Sequence, residues 1–527
     1  MNDQAVFEPA ASVATDTQFR SQVGHISRHS GALFAGTIFT AAIGYVFKVY
    51  LARVLGAEAL GIYALGITLV GFLGTFNSLG LPESAVRFAA VYRANHKTEP
   101  LRALLFWGGG ILLAANVVFA LIFLAMGKVV ARRFYHSPVL LHYLPWFAAI
   151  MLLGTISVFY GRILAGYKSV GRRTIITNFV GSPATMILAV LLISAGWGLT
   201  GYLLAQVLSA MLVIGLLLMV VWKLTPHEAR FFLPRPRSLE RDVWSFSAAA
   251  VGVLLLEFLM GQVDKVALGF YLGARSVGIY SVAAAVVAYE TLVLNSVNQV
   301  FSPVIADLHS RGDNAMLGKL YQSLTKWMFA ITLPLAITVI VDAGPLMRTF
   351  GHDFEAGWPI LIIGTLGQLV NCAVGSVGLM LLMSGNQSRL LRAQAGMTVV
   401  MTVLSVVLIP IWGVVGAAIA AAITNAGTNL WNLASVRRIF RFSPFTAKFA
   451  RLVPPGLGAI VIVVALRRAE HVFGHDWLLI GLSLISAYGA FVGITALLGL
   501  DSDDRMVVGA LWSKIWPAPA SSKGIGS

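Results

Sequence analysis

The chain has 527 residues, of which 58% are apolar and only 11% are charged. One soluble core cannot bury so large an apolar share, so the composition excludes an ordinary globular protein and indicates a membrane protein. Basic residues outnumber acidic ones by 38 to 22, but they lie in short segments between apolar runs. This distribution is typical of membrane topology rather than of nucleic-acid binding. The single cysteine, Cys372, excludes an intrachain disulfide.

The chain begins with 29 polar residues that lack the pattern of a cleaved signal peptide, and we predict a cytoplasmic tail without fixed structure there. Apolar runs of about 20 residues, the length that crosses a bilayer, then recur fourteen times. The predicted spans are 31–53, 60–81, 103–127, 140–164, 174–196, 199–222, 243–270, 277–302, 318–341, 357–384, 393–411, 413–435, 452–468 and 477–499. Lys and Arg concentrate on one side of these spans, which predicts that both termini are cytoplasmic.

Between the second and third spans, residues 83–97 have helical periodicity. Ala85, Phe88, Ala89 and Tyr92 share one face, which predicts a helix lying on the cytoplasmic membrane surface as an anchor.

An internal repeat divides the chain. At a shift of 217 residues, 44–63 aligns with 261–280, and eleven of the twenty positions are identical. The repeat predicts that spans one to six recur as spans seven to twelve in the same orientation, around an axis along the membrane normal. Many transporters share this arrangement, with a site between the repeats and access that alternates between the two sides.

The predicted fold is therefore an all-α polytopic membrane protein with two parallel six-helix repeats around a central cavity and two extra C-terminal helices. The predicted segments are a cytoplasmic tail (1–29), a six-helix bundle (30–222), a cytoplasmic linker rich in proline and charge (223–242), a second six-helix bundle (243–436), the extra helix pair (437–500) and a cytoplasmic tail (501–527).

Several short motifs resemble those of Wzx-type polysaccharide flippases. They are Arg53-Val54-Leu55-Gly56 through Gly61-Ile62-Tyr63, Asp264-Lys265 with Leu272-Gly273 through Gly278-Ile279-Tyr280, Phe350-Gly351-His352-Asp353-Phe354, and Gly367-Gln368-Leu369-Val370-Asn371 through Leu382-Met383-Ser384-Gly385. The resemblance implies the fold of the multidrug, oligosaccharidyl-lipid and polysaccharide exporter superfamily. It also implies a bacterial inner-membrane location, a polyprenyl-diphosphate-linked oligosaccharide as cargo, and membrane lipids, glycosyltransferases and a polysaccharide polymerase as partners.

Other functions stay open at this stage. A cation-coupled multidrug exporter and a lipid II flippase would share the same architecture. A membrane glycosyltransferase or polymerase is disfavoured, because the outer loops are short and no metal-binding motif is present. The extra helix pair favours a flippase, because the resemblance implies that lipid II flippases use such a pair to hold the lipid tail.

Three basic residues are candidates for binding the phosphates of a headgroup: Lys48, Lys265 and Arg53. An ionisable residue in the middle of a span costs about 2.5 to 3.5 kcal/mol, so each requires a reason. Lys48 and Lys265 occupy equivalent repeat positions, and we expect them to face each other across the cavity if they point inward. The alternative is that both extend to the outer headgroups and that Arg53 is an interfacial anchor.

Three acidic residues are candidates for ion coupling: Glu257, Asp264 and Glu290. Buried carboxylates can carry a proton or bind sodium, so an ion gradient could drive the cycle. The sequence has no GxxxxGK[ST] motif and predicts neither direct use of ATP nor a bound cofactor. Alternatively, these carboxylates only cap helices or pair with Lys265.

Neutral polar residues form two stripes that could contact sugar hydroxyls. They are Asn77, Asn295, Asn298 and Gln299 in spans two and eight, and Gln368 and Asn371 in span ten. The alternative is that their amides join helices to each other through hydrogen bonds.

Overall fold

The computed structural model describes the backbone of residues 8–230, 238–468 and 476–499, and the side chains from residue 40 onward. These residues are almost entirely helical, and no strand occurs among them. The predicted tail 501–527, residues 231–237 of the predicted linker and residues 469–475 of the extra helix pair lie outside this part of the chain.

Eleven helices among the described residues are long and apolar enough to cross a membrane. In chain order they are α1 (Glu8–Asn77), α2 (Thr98–Phe134), α3 (Leu140–Gly166), α4 (Val170–Leu224), α5 (Arg241–Leu272), α6 (Ala274–Ser310), α7 (Asn314–Val341), α8 (His352–Val374), α9 (Gln387–Phe440), α10 (Ala447–Arg468) and α11 (Asp476–Leu497). Shorter helices cover Leu81–Ala94, His227–Arg230, Ala343–Arg348 and Val377–Met383. The predicted all-α polytopic fold is confirmed.

Three of the long helices bend at a glycine where the sequence predicts a boundary between two spans. The bends lie at Gly56 in α1, at Gly198 in α4 and at Gly413 in α9. Each of these helices therefore covers two predicted spans, and the number fourteen itself stays a prediction.

The first helix begins earlier than the sequence suggested. α1 starts at Glu8, within the stretch that we expected to lack fixed structure. Extending a helix that already exists adds one hydrogen bond per residue without a new nucleation cost. Pro9 lies in the first turn, the part of a helix that tolerates proline.

The two repeats share their backbone geometry at matched glycines. Gly56 has φ 79° and ψ 173°, and its equivalent Gly273 has φ 79° and ψ −176°. Gly198 (φ 49°, ψ −132°) and Gly413 (φ 59°, ψ −135°) form a second matched pair. Positive φ angles favour glycine, so the repeated glycines are explained by the repeated bends.

Just after the first matched bend, the two repeats meet in a reciprocal crossing. A Cβ added to Gly61 would lie 1.8 Å from the carbonyl oxygen of Ala274, and one added to Gly278 would lie 2.0 Å from that of Ala57. Two equivalent helices therefore touch backbone against backbone at the small residues of an Ala-xxx-Gly pattern. Such patterns allow close helix packing in membranes.

The helices form two compact units. One, the Tyr50–Ser281 unit, also contains Thr398–Ala417, and the other, the Val282–Met397 unit, contains the remaining described residues. In the second unit α10 and α11 pack on α7, where the Tyr488 hydroxyl donates to the carbonyl oxygen of Ile331 at 2.7 Å. The predicted bundle boundaries stay a prediction.

The amphipathic segment forms the helix Leu81–Ala94, and the face predicted from its periodicity is buried. That face packs on α3 and α5 rather than on lipid, which corrects the expectation of a surface anchor. The hydroxyls of Ser84 and Ser247 lie 2.6 Å apart across this contact, and the Tyr92 hydroxyl donates to Glu240 at 2.6 Å. The helix thereby joins the first repeat to the start of the second.

Candidate functional site

A cavity of about 570 Å³ lies inside the Tyr50–Ser281 unit. Its wall combines the second part of α1, the start of the Leu81–Ala94 helix, the C-terminal half of α3 and the middle of α5. The polar lining residues are Thr75, Ser78, Glu83, Thr155, Arg162, Glu257 and Gln262, and the others are small or apolar. Gly74 and Gly154 line it too, and a Cβ on either would meet nothing within 4 Å, so the two glycines leave the space open.

An ion pair lies in the wall of this cavity. One guanidinium nitrogen of Arg162, Nη2, lies 2.7 Å from Oε1 of Glu83, and the two side chains are 36% and 30% exposed. The Nε atom of Arg162 is buried and donates no hydrogen bond within the described part of the chain. The guanidinium therefore keeps donor capacity beyond its carboxylate partner, and a guanidinium matches the oxygens of a phosphate well.

The opposite charge also lines the cavity. The carboxylate of Glu257 is exposed, and it forms neither a hydrogen bond nor an ion pair with the described residues. One turn further along α5, Oε1 of Gln262 accepts hydrogen bonds from the Lys265 ammonium at 2.9 Å and from the Thr68 hydroxyl at 3.4 Å. Lys265 thus fixes a residue of the cavity wall without lining the cavity itself.

The other basic candidates are solvent- or lipid-accessible. Lys48 is exposed in the Val282–Met397 unit, with Nζ 5.5 Å from the centroid of the Tyr289 ring. Arg53 is exposed in the Tyr50–Ser281 unit. That Lys48 and Lys265 face each other stays a prediction, as does the binding of phosphate by all three.

The buried carboxylates have different surroundings. Asp264 is 8% exposed, and its two oxygens accept from the backbone N–H of Lys265 at 2.8 Å and from the Tyr280 hydroxyl at 2.5 Å. Its position in the first repeat is taken by Phe47, so Asp264 breaks the repeat symmetry. In the other unit, Glu290 is 1% exposed and accepts from the Thr365 hydroxyl at 2.6 Å.

Three of the six amide candidates join helices. The Asn77 amide donates to Asn116 at 2.7 Å, and the Ser376 hydroxyl donates to Asn298 at 2.5 Å. The Asn425 amide donates to Gln368 at 3.0 Å. These contacts favour the structural interpretation for Asn77, Asn298 and Gln368.

The other amide candidates are less enclosed. Asn295 and Gln299 are exposed, and Asn371 is half-buried. The Asn295 amide donates to the Thr291 hydroxyl one turn earlier at 3.2 Å. Contacts of these amides with a sugar stay a prediction.

Sequence reasoning missed Arg162 and Gln262. Arg162 lies two residues before the end of a predicted span, and a charge there is usually assigned to the interface. Arg162 lies four residues inside the observed end of α3 and 79 residues after Glu83. Because of this separation, the sequence alone could not predict that the two residues form an ion pair. An arginine inside an apolar helix was the signal available.

Comparisons with known proteins agree with this architecture. Residues 26–309 match the family described as "Polysaccharide biosynthesis protein". The teichuronic acid biosynthesis protein TuaB of Bacillus subtilis is 25% identical over 292 residues, which are 54% of this chain and 58% of TuaB. The probable flippase AglR of Haloferax volcanii is 26% identical over 210 residues, 38% of this chain and 44% of AglR. The matches thus span about half the length of these relatives.

The fold is also similar to that of a solved transporter. The structure of the lipid II flippase MurJ in an inward closed conformation aligns with a TM-score of 0.65 and 13% identity, over 89% of this chain and 98% of that one. At this identity the likeness establishes the fold. The family match covers more than half of the sequence and confirms the resemblance that the motifs indicated. The chain belongs to the polysaccharide biosynthesis protein family, and its fold is similar to that of MurJ.

Proposed function

We propose that this protein is a flippase and not an enzyme. It moves a polyprenyl-diphosphate-linked oligosaccharide from the cytoplasmic to the outer leaflet of a bacterial inner membrane by alternating access, for surface polysaccharide synthesis. The observation that carries this proposal is the cavity with Arg162 and Glu83 in its wall, in a chain of a polysaccharide biosynthesis family. The coupling to a proton or sodium gradient and the partnership with glycosyltransferases and a polymerase belong to the same proposal.

The chemistry of the cavity fits such a headgroup. Diphosphate oxygens can replace the Glu83 carboxylate on the Arg162 guanidinium, because both are anionic acceptors and the buried Nε supplies a further donor. The hydroxyl oxygens of Thr75 and Thr155, which already donate to main-chain carbonyls, offer acceptors for sugar hydroxyls, and the amide nitrogen of Gln262 offers a donor. The polyprenyl chain stays in the lipid, where it loses no apolar contacts.

The topology predicted from charge places this cavity toward the cytoplasm. Thr75 and Arg162 lie near the ends of α1 and α3 that the positive-inside rule assigns to the cytoplasmic side. The cargo is made on that side, so the cavity would be accessible to it.

Transport by reconstituted protein tests the proposal. Purified protein in lipid vesicles is given a fluorescent polyprenyl-diphosphate oligosaccharide, and its appearance in the opposite leaflet is followed by quenching. Losing hydrogen bonds to a charged group costs about 1.5 to 3 kcal/mol, so Arg162→Ala should weaken apparent affinity roughly 10- to 150-fold. Arg162→Lys keeps the charge but not the fork, and an intermediate loss is expected.

Arg311→Ala is the matched control. It removes an arginine from an exposed ion pair with Asp307, outside the cavity, with an Nη2 to Oδ1 distance of 2.9 Å. Its transport should equal that of the unchanged protein. Equal transport by Arg162→Ala and Arg311→Ala would remove the cavity from the proposal.

One observation favours a second function, export of cationic drugs. The exposed carboxylate of Glu257 suits an organic cation as well as it suits coupling. Accumulation of ethidium by the same vesicles, abolished by Glu257→Gln and unaffected by Arg162→Ala, would favour the exporter over the flippase.

A further inference from the structure

Glu290 lies at an irregular turn deep inside the Val282–Met397 unit. The α6 helix tightens there into a 3₁₀ turn, Tyr289–Thr291, and such a turn inside a helix often marks a hinge or a strained site. Only 1% of the Glu290 side chain is exposed. Its Oε1 accepts a hydrogen bond from the Thr365 hydroxyl, while Oε2 is buried and accepts none from the described residues.

No basic side chain in the described part of the chain compensates the charge of this carboxyl. Among the described residues no Lys, Arg or His nitrogen lies within ion-pair distance of Glu290. An ionised carboxylate with one hydroxyl donor and no counter-charge is unfavourable in a membrane interior, whereas the neutral acid is tolerated.

The helices packed against this turn offer only a few titratable groups. On α8, the Sγ atom of Cys372 lies 4.0 Å from the main-chain carbonyl oxygen of Glu290. On α7, Lys326 is buried but makes no ion pair with Glu290. On α1, Lys48 is directed at the Tyr289 ring.

The rings beside the turn are neutral. Tyr45 on α1 meets Tyr289 with ring centroids 6.2 Å apart, and its hydroxyl lies 3.0 Å from the Thr349 hydroxyl. Neither contact brings a charge to Glu290.

The three carboxylates singled out in the sequence therefore differ in kind. Glu257 is exposed and lines a cavity. Asp264 has a donor on each oxygen and is the neighbour of a lysine. Only Glu290 combines burial, a missing donor and a missing counter-charge.

We propose that Glu290 is the proton-binding group that couples this transporter to a proton gradient. This inference rests on the proposed transport function. In the conformation described, Glu290 is a neutral carboxylic acid whose Oε1 accepts a hydrogen bond from the Thr365 hydroxyl. When α6 and α8 separate during the cycle, its O–H bond breaks, the proton passes to water, and the carboxylate is stabilised by that water until it is protonated from the other side.

The surroundings favour a proton over a metal cation. Hard cations require a shell of several oxygen ligands. Here the Thr365 hydroxyl uses its hydrogen toward the carboxyl, and the nearby Gln368 has a buried Nε2 donor without an acceptor, while its Oε1 already accepts from Asn425. No group of three or more His, Cys, Asp or Glu residues that could hold a metal occurs among the described residues.

Infrared spectroscopy tests the protonation state without any cargo. Full-length protein carrying ¹³C-carboxyl glutamate is reconstituted in lipid vesicles at neutral pH, and its spectrum is compared with that of Glu290→Gln. We expect the variant to lose one band of a protonated carboxyl C=O group. Glu257→Gln is the spectral control and should lose only a carboxylate band. Thr365→Val keeps the carboxyl but removes its hydrogen-bond donor, so the C=O band of Glu290 should shift to higher frequency. This variant tests the same group even if Glu290→Gln does not fold.

Transport under an imposed pH gradient tests the coupling. The gradient should accelerate translocation by the unchanged protein, while Glu290→Gln should equilibrate cargo between leaflets at a rate independent of the gradient. A loss of a carboxylate band in Glu290→Gln would overturn the proposal, as would an undiminished response of this variant to the gradient. If replacing sodium by choline shifted the carboxyl band of Glu290, this residue would bind sodium and not a proton, and the proposal would be overturned too.

The two proposals fail separately. If the unchanged protein moves no oligosaccharide lipid but Glu290→Gln still loses the protonated band, the proposed cargo is wrong while the protonation state of Glu290 stands.

Discussion

A single methyl group on Gly61 tests the reciprocal crossing between the repeats. In Gly61→Ala the new Cβ would lie 1.8 Å from the carbonyl oxygen of Ala274, and real Cβ contacts essentially never fall below 3.0 Å. Backbone has to move by more than an ångström, because the obstructing atom is main chain and cannot rotate away. Overpacking of this kind costs about 1 to 3 kcal/mol. The mirror substitution, Gly278→Ala, should cost a similar amount.

Gly154→Ala is the matched control for this perturbation. Gly154 also lies inside a helix, α3, but a Cβ there meets nothing within 4 Å. Because alanine is more favourable than glycine in the interior of a helix, the stability of this variant should be unchanged or higher by up to about 1 kcal/mol.

Unfolding in mixed micelles measures the difference. The SDS mole fraction is raised stepwise, and intrinsic tryptophan fluorescence reports unfolding. Gly61→Ala and Gly278→Ala should each unfold at a lower SDS fraction than Gly154→Ala. The double variant should lose less than the sum of the two, because the first methyl already separates the helices. If Gly61→Ala and Gly154→Ala unfolded at the same SDS fraction, the backbone contact between the repeats would be refuted.

Two further predictions concern contacts outside the crossing. Burial and the neighbouring Glu240 carboxylate raise the pKa of Tyr92 well above its usual value of 10. The stability that this shift contributes is therefore fully present below about pH 10 and is lost as pH rises through the folded-state pKa. Replacing Tyr92 by Phe removes the titrating group, so the fall in thermal stability above about pH 10 should be flatter in Tyr92→Phe. An unchanged pH profile of thermal stability would contradict this. A half-exposed ion pair, with 3.1 Å between Nη2 of Arg348 and Oδ1 of Asp476, connects the helix Ala343–Arg348 to the start of α11. Arg348→Ala removes it and should lower the free energy of unfolding by about 1 kcal/mol or less in the same micelle titration. A loss several times larger would show that this contact, and not the packing of α10 and α11 on α7, holds the extra helix pair.

The fold could be predicted from hydrophobic periodicity and from the internal repeat. Periodicity depends only on neighbouring residues, and a repeat is found by comparing the sequence with itself. Glycines at the ends of apolar runs marked the bends at Gly56, Gly198 and Gly413, and internal identity paired the two halves. The N-terminal extension of α1 was missed, because polar composition was taken to indicate disorder although a helix can extend at low cost.

The site could be predicted only in part. Sequence identified Glu290 as an ionisable residue inside a span, but its partner Thr365 is 75 residues away. Likewise, the apolar face of the Leu81–Ala94 helix was predicted correctly. That this face packs on α3 and α5, and not on lipid, could not be predicted, because these helices are distant in the sequence. Apolar residues look the same to a sequence pattern whether lipid or another helix covers them.

The lone thiol of this protein is enclosed. Cys372 has no exposed surface in the fold, and burial separates it from water-soluble reagents. A thiol-reactive dye added to the folded protein should therefore leave the native chain unlabelled. Cysteines introduced one at a time, along the cavity wall or beside the repeat crossing, would then each report their own exposure during the proposed transport cycle, with no need to remove the natural one.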